Sequence, residues 1–245
     1  MTLHESGHFT AALFLHAKNL SLHHNYVNYG DENLTAAHRI IIAAVGPTVS
    51  LFIGMIFHFI CSRQQKRNLY FFFNLYMSVF GYIGFFGYLA IAPMFAGGDT
   101  GYVLRAMNFP IWSIILIAVI SGVVLYLIMK SLTKYFVELG SKELVENYDS
   151  RKQFIHALIQ YPLYIGIIIT TILNLPVPVL LSIIAPVFSP FTLMWSYGDA
   201  LQKQFSAENA NKEFDQLNSF QPILIFSLIL IIALNRFLVS GIHVN

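Results

Sequence analysis

Long apolar segments separated by polar loops are the feature of this 245-residue sequence that most limits its fold. Seven segments are candidate membrane helices: residues 2–17, 37–60, 69–93, 111–129, 154–173, 177–197 and 220–238. A helix needs about 20 apolar residues to cross a bilayer, and only the first segment is clearly short. With 56% hydrophobic and 11% charged residues, the chain is too apolar for an ordinary soluble domain. We predict an all-α fold, a polytopic transmembrane helical bundle of about six to seven membrane helices.

This composition also limits location and partners. We expect a single integral membrane domain over residues 1–245, with several passes through the cell membrane. The lipid bilayer is then an obligatory partner, and no nucleic-acid partner is expected. The single cysteine, Cys61, excludes an internal disulfide and a cysteine-based metal site.

Two histidines and a glutamate interrupt the first apolar segment. His4, Glu5 and His8 form the pattern HExxH. On a helix His4 and His8 share one face, a turn apart, so both rings can face one ion. In this pattern the histidines hold zinc and the glutamate is general base for the bound water. Ionisable groups at membrane depth are costly, which favours this interpretation over a helix start lying at the lipid headgroups.

The first segment is too short to cross a bilayer alone, so its helix is either tilted or truncated at the start of the sequence. A polar stretch follows, in which Leu20 and Leu22 alternate with polar neighbours. This alternation predicts short interfacial strands at about residues 20–29. His23 and His24 lie in this stretch and are expected to be solvated loop residues.

A second candidate region follows the third segment. Pro93, Gly97 and Gly98 break the helix just before Asp99. Non-helical backbone at membrane depth is tolerated only where it is buried in protein or lines a cavity. Catalytic zinc commonly takes three protein ligands and leaves one position for water, so Asp99 is a candidate third ligand. Alternatively, Asp99 only caps the next helix. Asp199 is then the rival candidate for the third ligand.

The distribution of basic residues predicts the orientation of the helices. If the helices alternate in direction, one side of the membrane carries Arg63, Lys66, Arg67, Lys130, Lys134, Lys142, Arg151, Lys152, Lys203 and Lys212. The other side carries Lys18, Arg39, Arg105 and Arg236. The positive-inside rule places the first group in the cytoplasm. Asp99 then lies on the less basic side and Asp199 on the basic side.

Three motifs together resemble the site-2-protease-like intramembrane zinc metalloproteases in order and spacing. They are His4-Glu5-Ser6-Gly7-His8, Gly46-Pro47-Thr48-Val49-Ser50 and Gly97-Gly98-Asp99. The resemblance covers about residues 1–110, which it identifies as a metalloprotease-like core, with additional transmembrane helices over 111–245. It implies a Zn²⁺ ion held by His4, His8 and Asp99, with Glu5 as the catalytic base. Gly46, Pro47, Gly97 and Gly98 would shape the site.

The resemblance implies an intramembrane metalloprotease, a hydrolase that cleaves transmembrane protein substrates through a zinc-activated water. The stretch over residues 20–29 is similar in place to the family's membrane-associated strands, which hold an unwound substrate by edge pairing. The third motif departs from the family pattern Leu-Asp-Gly, because Gly98 and Thr100 flank the aspartate here. The charge distribution also places the site away from the cytoplasm, whereas family members typically cut toward the cytosolic side.

Two other classes use similar residues. A cation transporter or a metal-binding membrane protein without protease activity could hold its ion with His4, His8 and Asp99. Such a site gains little from Glu5 beside two ligands, whereas a hydrolase requires this acid. Di-iron membrane hydroxylases use several histidine boxes, and the pair His23-His24 lacks the histidine that such a box needs.

Overall fold

The computed structural model of this protein describes residues 2–176, 184, 187–202 and 222–244. Its helices are α1 (Thr2–Phe14), α2 (Ala36–Arg63), α3 (Leu69–Ile91), α4 (Asp99–Ala106), α5 (Ile111–Val137), α6 (Lys142–Glu146), α7 (Tyr148–Leu173), α8 (Leu193–Gln202) and α9 (Pro222–Phe237). One π-helical turn lies in α3 (Ile83–Gly87) and one in α7 (His156–Gln160). The strands are β1 (Lys18–Leu22), β2 (Val27–Gly30) and β3 (Ile242–Val244). The described part is therefore mostly helical, with a small sheet.

Four of the described helices, α2, α3, α5 and α7, are long and apolar enough to cross a membrane. The predicted helical class is confirmed, whereas the predicted count of six to seven spans is not. Within the described residues, α1 covers 13 residues and α9 covers 16, fewer than the roughly 20 that a span requires. Of the predicted span over residues 177–197, residues 177–183 and 185–186 lie outside the described residues.

The long helices begin and pack as their sequences dictate. Thr35 and Asn68 are the N-caps of α2 and α3, and each side chain accepts a hydrogen bond from a backbone N–H of the first turn. Helices α2 and α3 approach closely at Gly54 and Gly81, where a Cβ on Gly81 would overlap the backbone of Gly54. The largest buried apolar cluster lies beside this contact and includes Phe71, Leu75, Met129, Phe136 and Ile155.

The predicted strands form an antiparallel hairpin. Ser21 on β1 pairs with Asn28 on β2 and also with His243 on β3, so the sheet order is β2-β1-β3. Strand β2 therefore lies at one edge. Leu20 packs with Ala12 of α1 and Ile42 of α2 in a second apolar cluster, which fixes the sheet beside both helices.

The expectation that both histidines are solvated is wrong for His24, whereas His23 is only partly buried. His24 is 2% exposed, and its Nε2 donates a hydrogen bond to the carbonyl of Asn174 at 3.2 Å. His23 is half-buried and stacks on Tyr26 with ring centroids 4.3 Å apart. The local composition is polar, but β3 and the C-terminal end of α7 cover this turn.

Candidate metal centre

The HExxH pattern lies on α1, and its polar face packs against α2. His4, Glu5 and His8 are each no more than 7% exposed, although all three are ionisable. Gly7, on the same helix, lies close to α2, since a Cβ on it would be 3.2 Å from the Cα of Gly46. The close approach of the two helices therefore turns the two imidazoles and the carboxylate into the protein rather than toward solvent.

Three potential ligand atoms meet at this face. Asp99 Oδ2 lies 2.9 Å from His4 Nε2 and 3.3 Å from His8 Nε2, and the two nitrogens are 3.1 Å apart. Ligand atoms around a tetrahedral zinc ion with bonds of about 2.0–2.1 Å lie about 3.3–3.4 Å from one another. Two imidazole nitrogens and one carboxylate oxygen at this spacing could hold a metal ion.

Hydrogen bonds on the far side of each ring orient the two imidazoles. His8 Nδ1 donates to the carbonyl of Ile42 at 2.7 Å. His4 Nδ1 lies 3.0 Å from Ser50 Oγ, whose hydroxyl donates to the carbonyl of Gly46. Because each Nδ1 serves as the donor, each Nε2 presents its lone pair to the common point, as metal-bound histidines require.

Asp99 is the first residue of α4, and Gly98 takes the N-cap position without a side-chain hydrogen bond. The alternative that Asp99 only caps this helix is therefore wrong, because Gly98 is the N-cap and the Asp99 carboxylate instead contacts both histidines. Thr100 Oγ1 donates to the carbonyl of Tyr88 at 2.8 Å and ties the start of α4 to the end of α3.

Arg105 holds the broken segment in front of Asp99. Its guanidinium donates to the carbonyls of Ala92 and Pro93, at 2.9 and 3.0 Å, and to the carbonyl of Gly101 at 3.1 Å. A break in a helix leaves carbonyls without partners, and this cation satisfies two of them, those of Ala92 and Pro93. The acid is thereby presented at the level of the histidines.

Gly46 and Pro47 shape the wall beneath the site. Gly46 lies against the ring of His8, and a Cβ on residue 46 would overlap that ring. Pro47 has no N–H, so the carbonyl of Ala43, four residues earlier in α2, lacks its helical partner. Ala43 lines the cavity in front of the site.

The site opens into a cavity of about 590 Å³. Glu5 and His8 line its floor, and Gly97, Gly98 and Asp99 line one side together. Glu5 is not one of the three clustered ligand residues, and it lines the cavity together with His8 and Asp99. The cavity is therefore lined by an acid that does not belong to the ligand cluster.

Strand β2 and the hairpin turn line another wall of the cavity, through Val27 and Tyr29 among others. Burial raises the pKa of Tyr29, and the nearby carboxylate of Asp31 adds to this effect, so the phenol remains protonated. Asp31 Oδ2 lies 3.9 Å from Nη1 of Arg39, and both residues also line the cavity. Among the described strands β2 lies at the edge of the sheet, and an edge strand is where an extended chain can pair.

Asp199, the rival ligand, lies elsewhere. It is on α8, and its Oδ1 is 3.5 Å from Nζ of Lys130 on α5. Within the described part of the chain, His4, His8 and Asp99 form the one cluster of three metal-ligating side chains. The structure therefore brings Asp99, and not Asp199, to the histidines.

Sequence reasoning missed Tyr88 and Arg105 and gave no role to Ser50. The Ser50 side chain orients His4, and its position one turn after Gly46 on α2 was the available signal. Tyr88 stacks on His4 with ring centroids 5.0 Å apart, and nothing in its sequence context singles it out.

No family model, no curated protein and no solved structure matches this chain. The chemistry of the site therefore has to be inferred from its own residues.

Proposed function

We propose that this protein is an intramembrane zinc metalloprotease of the site-2-protease-like type, which hydrolyses peptide bonds of membrane-embedded protein substrates. One observation carries the proposal: the ligand cluster of His4, His8 and Asp99 borders, through His8 and Asp99, a cavity that the buried Glu5 also lines. A site that only stores or transports a cation gains little from a fourth ionisable group that is not a ligand. Hydrolysis requires such a group.

Glu5 is assigned the proton transfers. A zinc ion at this site would lower the pKa of bound water to about 7 and polarise the scissile carbonyl. The Glu5 carboxylate accepts the proton of the attacking water and then donates it to the leaving amide nitrogen. Burial within the cavity keeps the carboxylate away from competing solvent, and its place between two ligands on α1 fixes its distance from the reacting atoms.

The edge of β2 is assigned the substrate backbone. A transmembrane substrate hides its peptide bonds in helical hydrogen bonds, and unwinding leaves those backbone groups without partners. Pairing with the free edge of β2 satisfies them and presents an extended segment along the cavity wall. Four helices of sufficient length and apolarity support a placement in the membrane, and we propose the cell membrane as their location.

The test is Glu5→Gln in the purified protein. Glutamine keeps the shape of the side chain but cannot accept a proton, and it leaves the three ligands intact. We expect zinc to remain stoichiometric by metal analysis, while cleavage of a fluorescent transmembrane peptide in liposomes falls by at least about 100-fold. Glu32→Gln, an exposed acid in the loop before α2, is the matched control and should cleave normally.

Retained cleavage by Glu5→Gln would exclude this mechanism. Wild type that holds zinc and cleaves no peptide would instead favour a metal-binding or cation-transporting protein.

A further inference from the structure

A second cavity, distant in sequence from the metal site, lies where the loop between α2 and α3 begins and ends. Its volume is about 570 Å³. Arg63 and Lys66 contribute two cationic groups to its lining, and Phe59 and Tyr70 contribute aromatic walls. No Asp or Glu lines it. The cavity is therefore basic on one side and apolar on the other.

The two cations are available to a ligand, in contrast to their neighbour Arg67. The Arg67 guanidinium already forms an ion pair with Glu138, with Nη2 2.7 Å from Oε2. Arg63 and Lys66 are exposed, and neither forms an ion pair with a described residue. Arg63 lies over the ring of Phe59, 5.2 Å from its centroid, which holds the guanidinium at the cavity wall.

The apolar wall continues along α2 into the region expected to face lipid. Phe52, Met55, Ile56 and Phe59 are each at least 50% exposed, and their spacing of three and four residues places them in one stripe. Arg63 follows Phe59 by one turn, so the stripe leads directly to the basic cavity. A small free anion would not pack against this apolar stripe, whereas a lipid acyl chain would.

We propose that this cavity binds the phosphate headgroup of an anionic membrane phospholipid, with Arg63 and Lys66 at the phosphate and the exposed stripe of α2 against an acyl chain. Arginine and lysine beside aromatic residues at the end of a membrane helix match an anionic headgroup in charge and depth. The inference rests on the proposed membrane placement but not on proteolysis. The charge distribution also puts this loop on the cytoplasmic side, where anionic lipids are concentrated.

The test compares lipid binding to the purified full chain by native mass spectrometry, with phosphatidylglycerol and phosphatidylcholine as probes. Wild type should retain phosphatidylglycerol in preference, and the double variant Arg63→Ala/Lys66→Ala should bind it about tenfold less tightly. The control Lys142→Ala/Lys152→Ala removes two exposed cations, one on α6 and one near the start of α7 on the same side, and should bind as wild type does. Phe59→Ser should also weaken retention, because it interrupts the apolar wall.

Equal losses of phosphatidylglycerol affinity in the two double variants would mean that general surface charge causes the effect, and would overturn the proposal. Unchanged binding by Arg63→Ala/Lys66→Ala would also overturn it. Inorganic phosphate is the competitor. Displacement of the lipid by low millimolar phosphate would show a site for the free anion and would also overturn it. The Glu5→Gln variant should retain lipid normally, so failure of the protease proposal remains separate from failure of this one.

Discussion

Gly46 lies so close to His8 that a Cβ on residue 46 would overlap Nε2, Cε1 and Cδ2 of the imidazole. The same ring donates from Nδ1 to the carbonyl of Ile42, one turn earlier on the same helix. Helix α2 therefore fixes both the position and the tautomer of a ligand that belongs to α1. The metal site is a property of the contact between two helices, not of the HExxH pattern alone.

Gly46→Ala is expected to lower zinc affinity by at least about tenfold, because the added methyl group displaces the His8 ring. Alanine is the better helix former, so weakening of α2 cannot explain the loss. Competition with a chelator measures the affinity. Gly122→Ala on α5 is the matched control, since a Cβ there meets nothing within 4 Å. Equal affinities for Gly46→Ala and wild type would contradict the assigned contact.

Ser50→Ala should also weaken zinc binding, by about 10- to 100-fold, because it removes the acceptor that orients His4 Nδ1. The ring is then free to rotate or to change tautomer. The same chelator competition applies. Ser131→Ala is the control, because the exposed Ser131 hydroxyl bonds only a carbonyl of its own helix. A loss of equal size in both variants would mean that the effect is not specific to His4.

Asp99→Asn should reduce bound zinc to a small fraction of the wild-type stoichiometry, since the amide removes the anionic ligand and keeps the shape. Asp199→Asn should leave zinc unchanged, because Asp199 is paired with Lys130 on another pair of helices. Metal analysis of both variants after dialysis measures this. Zinc retained by Asp99→Asn and lost by Asp199→Asn would assign the third ligand to Asp199.

The parts of the site that sequence reasoning predicts are those set by local rules. His4 and His8 share a helix face because of the helical period, and Asp99 was singled out because Pro93 and two glycines interrupt an apolar segment beside it. Contacts between separate elements do not follow from such local rules. Nothing local places Ile42 behind His8 or Tyr88 over His4, since those contacts depend on how α1, α2 and α3 pack.

The fold shows the same division. Alternation at Leu20 and Leu22 predicted the hairpin, because period-two patterns are local. Strand β3 pairs with β1 across more than 200 residues, and a three-residue strand carries no pattern of its own. The burial of His24 follows from that distant pairing and from Asn174, so a polar neighbourhood in the sequence gave the wrong expectation.

The buried turn at His24 also predicts a pH dependence of stability. Burial lowers the pKa of His24 below its usual 6.5, and the positive charge of Arg236 also opposes protonation. The unfolded chain then binds more protons below pH 6.5 than the folded chain does. Stability is therefore fully present above pH 6.5 and is lost as the pH falls below it, toward the lowered pKa.

His24→Gln should lose less thermal stability than wild type between pH 7.5 and pH 5.5, because glutamine keeps a donor for the carbonyl of Asn174 but does not titrate. Thermal unfolding of the detergent-solubilised protein at both pH values measures the difference. His16→Asn is the control, because His16 is exposed at a positive φ of 56°, which asparagine tolerates. The loss of thermal stability between pH 7.5 and pH 5.5 in this variant should equal that of wild type. An undiminished acid loss in His24→Gln would mean that other groups carry the effect.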